Sequence, residues 1–186
     1  MKVLDMGSGV GGPAREVVRQ SGAHVTCVTI NPYQTKRANE ITSKLSDYLK
    51  QRVTYLTEDY TNIKSLKPNS FDAVYYVESS CHTENRTLTF KEAYRMLKPG
   101  GKLFTYEYTT LDGWNPKDPH QKKMMEWNIY GLALAKMPTP KEAIKMVEAA
   151  GFKVDEHFDI MQHAKDIYGE DTQEWWMDLK ESWLPA

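Results

Sequence analysis

The start of the chain combines an apolar strand-like run, an acidic side chain and a cluster of glycines. Residues 2–6 read Lys-Val-Leu-Asp-Met, and glycines follow at positions 7, 9, 11 and 12. Glycine adopts positive φ angles without strain, and a ligand can approach its backbone closely because no Cβ stands in the way. The spacing therefore predicts a strand, a sharp turn that faces a ligand, and a helix.

The type of ligand depends on Asp5. Gly7, Gly9 and Gly12 satisfy the dinucleotide pattern G-x-G-x-x-G, so the glycines alone leave a nicotinamide dinucleotide and S-adenosylmethionine both open. A carboxylate two residues before the first glycine would repel a pyrophosphate in a partly dry site, and it would attract an amine and a sulfonium. Asp5 therefore favours S-adenosylmethionine.

Length, composition and charge limit the number of domains and the kinds of partner. The chain has 186 residues, of which 40% are apolar, and a formal net charge of −1. This length fits one domain, and the balanced charge argues against nucleic acid as the main partner. The apolar runs are shorter than the roughly 20 residues that span a bilayer. We expect a cytoplasmic protein without a transmembrane segment.

Cysteine and histidine positions favour neither a disulfide nor a metal site. Cys27 and Cys81 lie in apolar stretches, as reduced thiols usually do. The cysteines and histidines show no pair at metal-ligand spacing. We therefore expect no metal cofactor.

Strand and helix signals alternate along the chain, which predicts an α/β fold with a parallel sheet covered by helices on both faces. Strands are expected at residues 2–6, 25–30, 52–57, 71–77, 102–108 and 152–160. Helices are expected from Pro13 onward, from Pro32 to about Lys50, around 90–97, and at 121–134 and 140–150. Residues 98–101 and 111–120 are rich in glycine and proline, which predicts a turn and a loop.

The C-terminal segment, residues 163–186, predicts a short helix with an aromatic face. Trp175, Leu179 and Trp183 recur at the i, i+4 and i+8 positions of this segment. We expect this face to pack over a sheet edge, with a lipid-facing patch and peripheral membrane contact as the alternative.

Candidate site residues follow the ends of the predicted strands, because ligands of an open parallel sheet bind at its carboxyl edge. After the second strand, Thr29 or Asn31 could bind a ribose, and Asn31 could also cap the next helix. After the third strand, the carboxylate of Asp59 could accept a hydrogen bond from an adenine amine. These residues would hold the nucleoside part of the ligand.

The fourth and fifth strands end in groups that suit catalysis. Residues 78–82 read Glu-Ser-Ser-Cys-His, and Glu107 stands between two tyrosines. Such polar side chains make a poor core, so we expect them to line the cleft. Glu78, His82 or Glu107 could act as a base, and the sequence does not choose among them.

Two motifs resemble those of the class I S-adenosylmethionine-dependent methyltransferases. Residues 3–12, Val-Leu-Asp-Met-Gly-Ser-Gly-Val-Gly-Gly, look like the first motif of that family. Residues 95–101, Arg-Met-Leu-Lys-Pro-Gly-Gly, look like the segment before its fifth strand. The runs at 11–16, 31–34, 78–82, 106–108 and 112–120 are similar to the sterol 24-C-methyltransferases. The chain departs from those enzymes at Ser8, where cysteine is usual, and at Thr29, where asparagine is usual.

The resemblance implies a Rossmann-like, doubly wound sheet that binds S-adenosylmethionine. The residues that would bind it are Asp5, Gly7, Ser8, Gly9, Gly11, Thr29, Asn31, Gln34, Asp59, Tyr60 and Glu78. The resemblance also implies lipid metabolism, with methyl transfer to the side-chain double bond of a sterol. The catalytic candidates are Glu78, His82 and Glu107, and Tyr76, Tyr106 and Tyr108 would stabilise a carbocation.

Members of that family carry an aromatic-rich region before the first strand and a longer C-terminal part. We therefore expect residues 1–186 to form a single methyltransferase domain that lacks these flanking segments and the terminal antiparallel strand. Three other functions stay open: an N- or O-methyltransferase for a small molecule, a non-catalytic S-adenosylmethionine-binding module and, last, a nicotinamide-dependent oxidoreductase.

Overall fold

Five parallel strands form one sheet, and the first strand lies at its centre. The computed structural model describes residues 1–111 and 113–160. Its strands are β1 (Lys2–Met6), β2 (His24–Thr29), β3 (Val53–Thr57), β4 (Phe71–Val77) and β5 (Leu97–Tyr106). They are ordered β3-β2-β1-β4-β5 across the sheet, and every neighbouring pair is parallel. The order reverses between β1 and β4, where a doubly wound sheet opens a crevice at its carboxyl edge.

Helices cover both faces of this sheet, which confirms the predicted Rossmann-like fold. The helices of the described residues are α1 (Gly12–Ser21), α2 (Pro32–Ser43), α3 (Asp47–Lys50), α4 (Arg86–Met96), α5 (Pro119–Gly131) and α6 (Pro140–Glu148). Leu4 and Met6 pack on the face that α4 covers, whereas Val3 packs on the face of α1 and α3. β1 is buried on both faces, since its last four residues, Val-Leu-Asp-Met, are all buried.

The predicted long helix from Pro32 to Lys50 is wrong, because two helices occupy this range. The break falls at residues 44–46, between α2 and α3. The amides of Lys44 and Leu45 donate three residues back, to the carbonyls of Ile41 and Thr42. The hydroxyl of Ser43 donates to a backbone carbonyl in the same turn. These tight contacts end α2 before the helical pattern of apolar residues does.

Residues 98–101 belong to β5 rather than to a separate turn. The helix before them does end at Met96, as the glycines and proline predicted. The strand begins at Leu97, and the register shifts between Phe71 and Ala73 of β4 to accommodate the extra residues. Gly100, with a φ of +78°, lies in this irregularity. The turn chemistry therefore produces a bulge inside an edge strand.

Helix α5 begins two residues earlier than predicted, because Asp118 caps it. The carboxylate of Asp118 accepts from the amides of His120 and Gln121 at 2.8 and 3.2 Å. The helix ends at Gly131, three residues before its predicted end. Among the described residues, no helix combines the length and the apolar character needed to cross a membrane.

The prediction of a sixth strand at 152–160 is wrong for the described residues, which form no ladder there. Phe152 stacks edge-on against Tyr94 of α4, with ring centroids 5.2 Å apart. A strand needs a pairing partner, and an apolar pattern cannot report whether one exists.

By backbone contacts the chain divides into two units, Met1–Lys153 and Val154–Ala186. Of the second unit, the structure describes residues 154–160 only, so the prediction of one domain over 1–186 stays a prediction. The predicted helix at 163–186, with Trp175, Leu179 and Trp183, lies outside the described residues, as does Asp112.

Candidate active site

The glycine-rich turn leaves β1 at the carboxyl edge, where one carbonyl accepts two of its amides. The amides of Gly7 and Ser8 both donate to the carbonyl oxygen of Val28, at 2.8 and 3.0 Å. Gly7 has a φ of +93°. A Cβ on Gly7 would lie 2.3 Å from the Cβ of Ser79. Both the backbone angle and the close approach of β4's carboxyl end therefore require glycine here.

The outer part of the turn is open. Gly9 has a φ of +55°, and a Cβ built on it would meet no atom within 4 Å. The hydroxyl of Ser8 is buried inside the turn, where the Cys27 thiol is its neighbour. The first turn of α1 contains no acidic residue and no capping side chain. The turn therefore offers open backbone to a ligand.

Asp5 lies beneath this turn rather than on its surface. Only 2% of the residue is exposed, and its carboxylate accepts from the hydroxyl of Tyr75 at 2.8 Å. Burial raises the pKa of Asp5 to about 7, although the Tyr75 hydrogen bond opposes the shift. A buried carboxyl with a pKa near neutrality responds strongly to a charge that arrives nearby.

The end of β2 presents a small hydrogen-bonded group. The hydroxyl of Thr29 donates to the side-chain oxygen of Gln34 at 2.6 Å, and it accepts from the amide of Asn31 at 3.3 Å. The side chain of Asn31 accepts from the amide of Tyr33 at 2.9 Å. The predicted cap of α2 by Asn31 is therefore confirmed. The Gln34 side chain is oriented by Thr29.

Two neighbouring carboxylates, Glu58 and Asp59, follow β3 and have different surroundings. Glu58 accepts from the Ser65 hydroxyl and two loop amides, and the Ser65 hydrogen bond lowers the pKa of Glu58. One oxygen of Asp59 accepts from the amide and hydroxyl of Thr61. Glu58 thus stabilises the following loop, whereas Asp59 is exposed at the edge where the sequence predicts the adenine contact.

Tyr60 connects the third strand to the fourth. Its hydroxyl donates to the carbonyl of Ser79 at 2.8 Å. The Ser79 hydroxyl in turn donates to the carbonyl of Met6 at 2.6 Å. Burial raises the pKa of Tyr60, so its hydroxyl keeps its proton. The ends of β1, β3 and β4 are therefore linked through Ser79.

Glu107 holds the segment that follows β4. Its carboxylate accepts from the amides of Ser80 at 2.8 Å, Cys81 at 3.2 Å and Ser79 at 3.4 Å. These amides begin a short 3₁₀ turn, Ser80–His82. Burial and the neighbouring Glu107 charge raise the pKa of the Cys81 thiol to about 12. Glu107 therefore orients this turn with both of its oxygens.

Glu78 stands at the edge beside two tyrosines. Its φ of +49° is unusual for a residue with a side chain, and its amide donates to the carbonyl of Tyr106 at 2.8 Å. Burial raises the pKa of Tyr108 to about 12, and a hydrogen bond to Glu78 adds to the shift. The same causes raise the pKa of Tyr106. Tyr76, by contrast, is fully buried and donates to the carbonyl of Thr89.

His82 is exposed, and its ring is oriented by a backbone carbonyl. The Nδ1 atom lies 2.9 Å from the carbonyl oxygen of Ala133. Because a carbonyl only accepts, Nδ1 carries the hydrogen in this contact. In the neutral ring, Nε2 is then the basic nitrogen.

The 132–138 segment, between α5 and α6, is fixed beside this edge. Leu134 and Pro138 within it are buried. Its hydrogen bonds run from the Ala135 amide to the Cys81 carbonyl (3.0 Å), from the buried Arg86 side chain to the Lys136 carbonyl (2.7 Å), and from the Thr110 amide to the Pro138 carbonyl (2.9 Å). The segment therefore forms a wall beside His82.

The structure brings the predicted residues to one edge of the sheet, except that Asp5 is beneath the turn and Tyr76 is in the core. Sequence reasoning missed the roles of Arg15, Tyr55 and Thr42, which are joined by hydrogen bonds beside the turn. Arg15 lies in the run 11–16 that resembles the sterol 24-C-methyltransferases, whereas Tyr55 and Thr42 belong to no motif. Among the described residues, no group of three or more His, Cys, Asp or Glu side chains could hold a metal ion.

Comparison with known proteins gives consistent matches. A family model described as a methyltransferase domain matches residues 4–105. The chain is 35% identical over 181 residues to sterol methyltransferase-like 3 of Botryococcus braunii, covering 96% of this chain and 44% of the relative. It is 39% identical over 162 residues to a sterol 24-C-methyltransferase of Gibberella zeae, covering 86% and 41%.

A solved structure has the same fold. The phosphoethanolamine N-methyltransferase 2 of Haemonchus contortus, in complex with S-adenosyl-L-methionine, superposes with a TM-score of 0.74 at 24% identity. The match covers 99% of this chain and 41% of that one. The chain thus spans less than half the length of these relatives. With the family match over residues 4–105 and the sheet order, it belongs to the methyltransferase-domain family of class I S-adenosylmethionine-dependent methyltransferases.

Proposed function

We propose that the chain binds S-adenosylmethionine at the turn after β1 and transfers its methyl group to the side-chain double bond of a sterol. The observation that carries the proposal is the shape of the turn itself. Gly9 leaves open space above the backbone, and the start of α1 carries neither a capping side chain nor an acidic residue. A ligand with an anionic group would fill the space and accept hydrogen bonds from the free amides of the helix start.

The residues around the turn fit the parts of this cofactor. The N-terminus of α1 suits the carboxylate of the methionine part, because its amides and helix dipole favour negative charge. Asp5, beneath the turn, suits the positive charges of the amine and sulfonium. Gln34, Asp59 and Tyr60 would hold the nucleoside at the ends of β2 and β3.

The bound cofactor supplies a methyl group that is already activated on a sulfonium. The chain's task is therefore to align the acceptor and exclude water. Attack by an alkene leaves positive charge on the acceptor, which tyrosine rings and a carboxylate stabilise. Glu78 stands beside Tyr106 and Tyr108 and suits this role.

Removal of the final proton needs a base with an available lone pair. The Glu107 carboxylate accepts three backbone amides and orients the turn that carries His82, so we assign Glu107 a positioning role in the proposal. The Nε2 atom of His82 is the basic nitrogen when Nδ1 donates to Ala133, and we assign it the role of base. The similarity to sterol methyltransferases supports a sterol acceptor.

A methyl group at Gly9 tests the position of the cofactor. Gly9→Ala places a Cβ in space that is open in the free protein but filled by the proposed ligand. We expect the affinity for S-adenosylhomocysteine, measured by calorimetry, to fall at least about tenfold, roughly 1.4 kcal/mol.

Gly100→Ala is the matched control. Gly100 also has a positive φ, and a Cβ there also meets open space, but it lies in the bulge of β5. Both variants should lose a similar amount of stability, about 1–2 kcal/mol, from the left-handed backbone. Equal affinities of the two variants for S-adenosylhomocysteine would contradict the proposed position.

Asp5 should make cofactor binding depend on pH. Its pKa of about 7 in the free protein means that it is largely protonated at pH 6. A bound ammonium group favours the carboxylate and lowers this pKa, so binding releases a proton. We expect the affinity for S-adenosylhomocysteine to rise about five- to tenfold from pH 6 to pH 7.5, as measured by calorimetric titration.

The Asp5→Asn variant isolates the contribution of Asp5 to the pH dependence. Asparagine does not titrate, so any pH dependence left in this variant comes from titration of the ligand. Its affinity should stay within about twofold over the same pH range.

The free wild-type protein should also lose stability as the pH rises from about 4 to about 7, because the native state holds the Asp5 proton that the unfolded state releases. If the affinity for S-adenosylhomocysteine changed equally with pH in the wild-type protein and in Asp5→Asn, the role of Asp5 would be refuted.

Glu107→Gln separates turnover from cofactor binding. Glutamine retains one acceptor oxygen, so the 3₁₀ turn that carries His82 loses part of its anchor. Ser79 keeps its own bond to Met6, which preserves the contact with the glycine turn. We expect transfer of labelled methyl to a sterol with a side-chain double bond to slow at least about tenfold.

The affinity of this variant for S-adenosylhomocysteine should stay within about threefold of wild type. Glu84→Gln, at an exposed position in the same loop, should change neither quantity. An equal loss of turnover and affinity in Glu107→Gln would instead indicate a folding or cofactor role. Label found on nitrogen or oxygen of another acceptor would exclude the sterol proposal.

A further inference from the structure

The glycine turn contacts an arginine from α1. The Nη1 atom of Arg15 donates to the carbonyl of Val10 at 2.7 Å and to the hydroxyl of Tyr55 at 3.1 Å. Val10 lies in the turn, whereas Tyr55 lies in β3. One guanidinium nitrogen therefore joins the turn to the third strand.

Tyr55 meets the turn with both its ring and its hydroxyl. A Cβ on Gly11 would lie 2.5 Å from the ring carbon Cε1 and 2.6 Å from the hydroxyl oxygen. The same hydroxyl lies 2.9 Å from Oγ1 of Thr42, which is buried on α2. Because Arg15 only donates, the tyrosine oxygen accepts from it, and the tyrosine hydrogen is available for Thr42.

These contacts connect the two parts of the proposed cofactor site, here called its arms: the glycine turn and the start of α2. The turn would hold the methionine part, and α2 carries Gln34 near its start, where the nucleoside would bind. We propose that Arg15 is a positioning residue that fixes the glycine turn relative to α2 through Tyr55 and Thr42. The inference rests on the proposed function and assigns Arg15 no contact with the ligand.

Preorganisation of this kind benefits only a ligand that spans both arms. If the turn is not fixed, a spanning ligand must order it on binding, which weakens affinity. A fragment that uses the nucleoside arm alone does not meet this cost. S-adenosylhomocysteine spans both arms in the proposal, whereas methylthioadenosine lacks the amino-acid part.

The test measures both ligands by calorimetry on Arg15→Gln, Tyr55→Phe and the double variant. Each single substitution should lower the affinity for S-adenosylhomocysteine about tenfold, and the affinity for methylthioadenosine less than about twofold. The double variant should bind within about twofold of the weaker single variant, since both changes break one chain of contacts. Arg15→Lys should recover part of the affinity because its ammonium can still donate.

Arg19→Gln is the matched control, since Arg19 lies one turn further along α1 in an exposed pair with Glu16. It should change neither affinity. Equal losses for the two ligands, additive losses in the double variant, or unchanged S-adenosylhomocysteine affinity in Arg15→Gln would each overturn the role of Arg15. Failure of the wild-type protein to bind S-adenosylhomocysteine would overturn the proposed function itself.

Discussion

The carbonyl of Val28 accepts two consecutive amides, those of Gly7 and Ser8, and so bends the chain away from the sheet directly after β1. The rest of the site depends on this bend. It brings the turn against Ser79 so closely that a side chain at Gly7 has no room. A central parallel strand that ends in such a turn leaves open backbone at the crevice where the strand order reverses.

Around this turn, the polar residues fall into two groups. Buried or doubly bonded groups fix the geometry: Ser79 joins β1, β3 and β4, and Glu107 holds the amides after β4. More exposed groups, such as Asp59 and His82, stand at the edge itself. A carboxylate that accepts several backbone amides suits positioning, whereas exposed groups with capacity left suit ligand contact. This division separates Glu107 from His82 in the proposed chemistry.

The sequence predicted the fold well where local patterns decide it. The bounds of β1 and β4 agree with the prediction because buried strands between turn residues leave one interpretation. The break of the helix at residues 44–46 depended on side-chain bonds within one turn, which periodicity does not show. The absent strand at 152–160 depended on a partner, which is a property of the whole sheet.

The sequence predicted which residues follow the strand ends, but it did not predict which atoms these residues contact. Topology alone places residues after parallel strands at one edge, so Asp59, Glu78 and Glu107 could be anticipated. The sequence could not show which carboxylate accepts backbone amides, because those amides belong to a different element. Arg15 and Tyr55 meet across 40 positions, and no spacing rule links them.

The most direct measurement is a crystal structure of the chain with S-adenosylhomocysteine. The proposed site requires density over Gly9, with the amino-acid part at the start of α1 and the adenine near Asp59. Density at the opposite, amino edge of the sheet, or a bound ligand that does not touch residues 7–12, would contradict it.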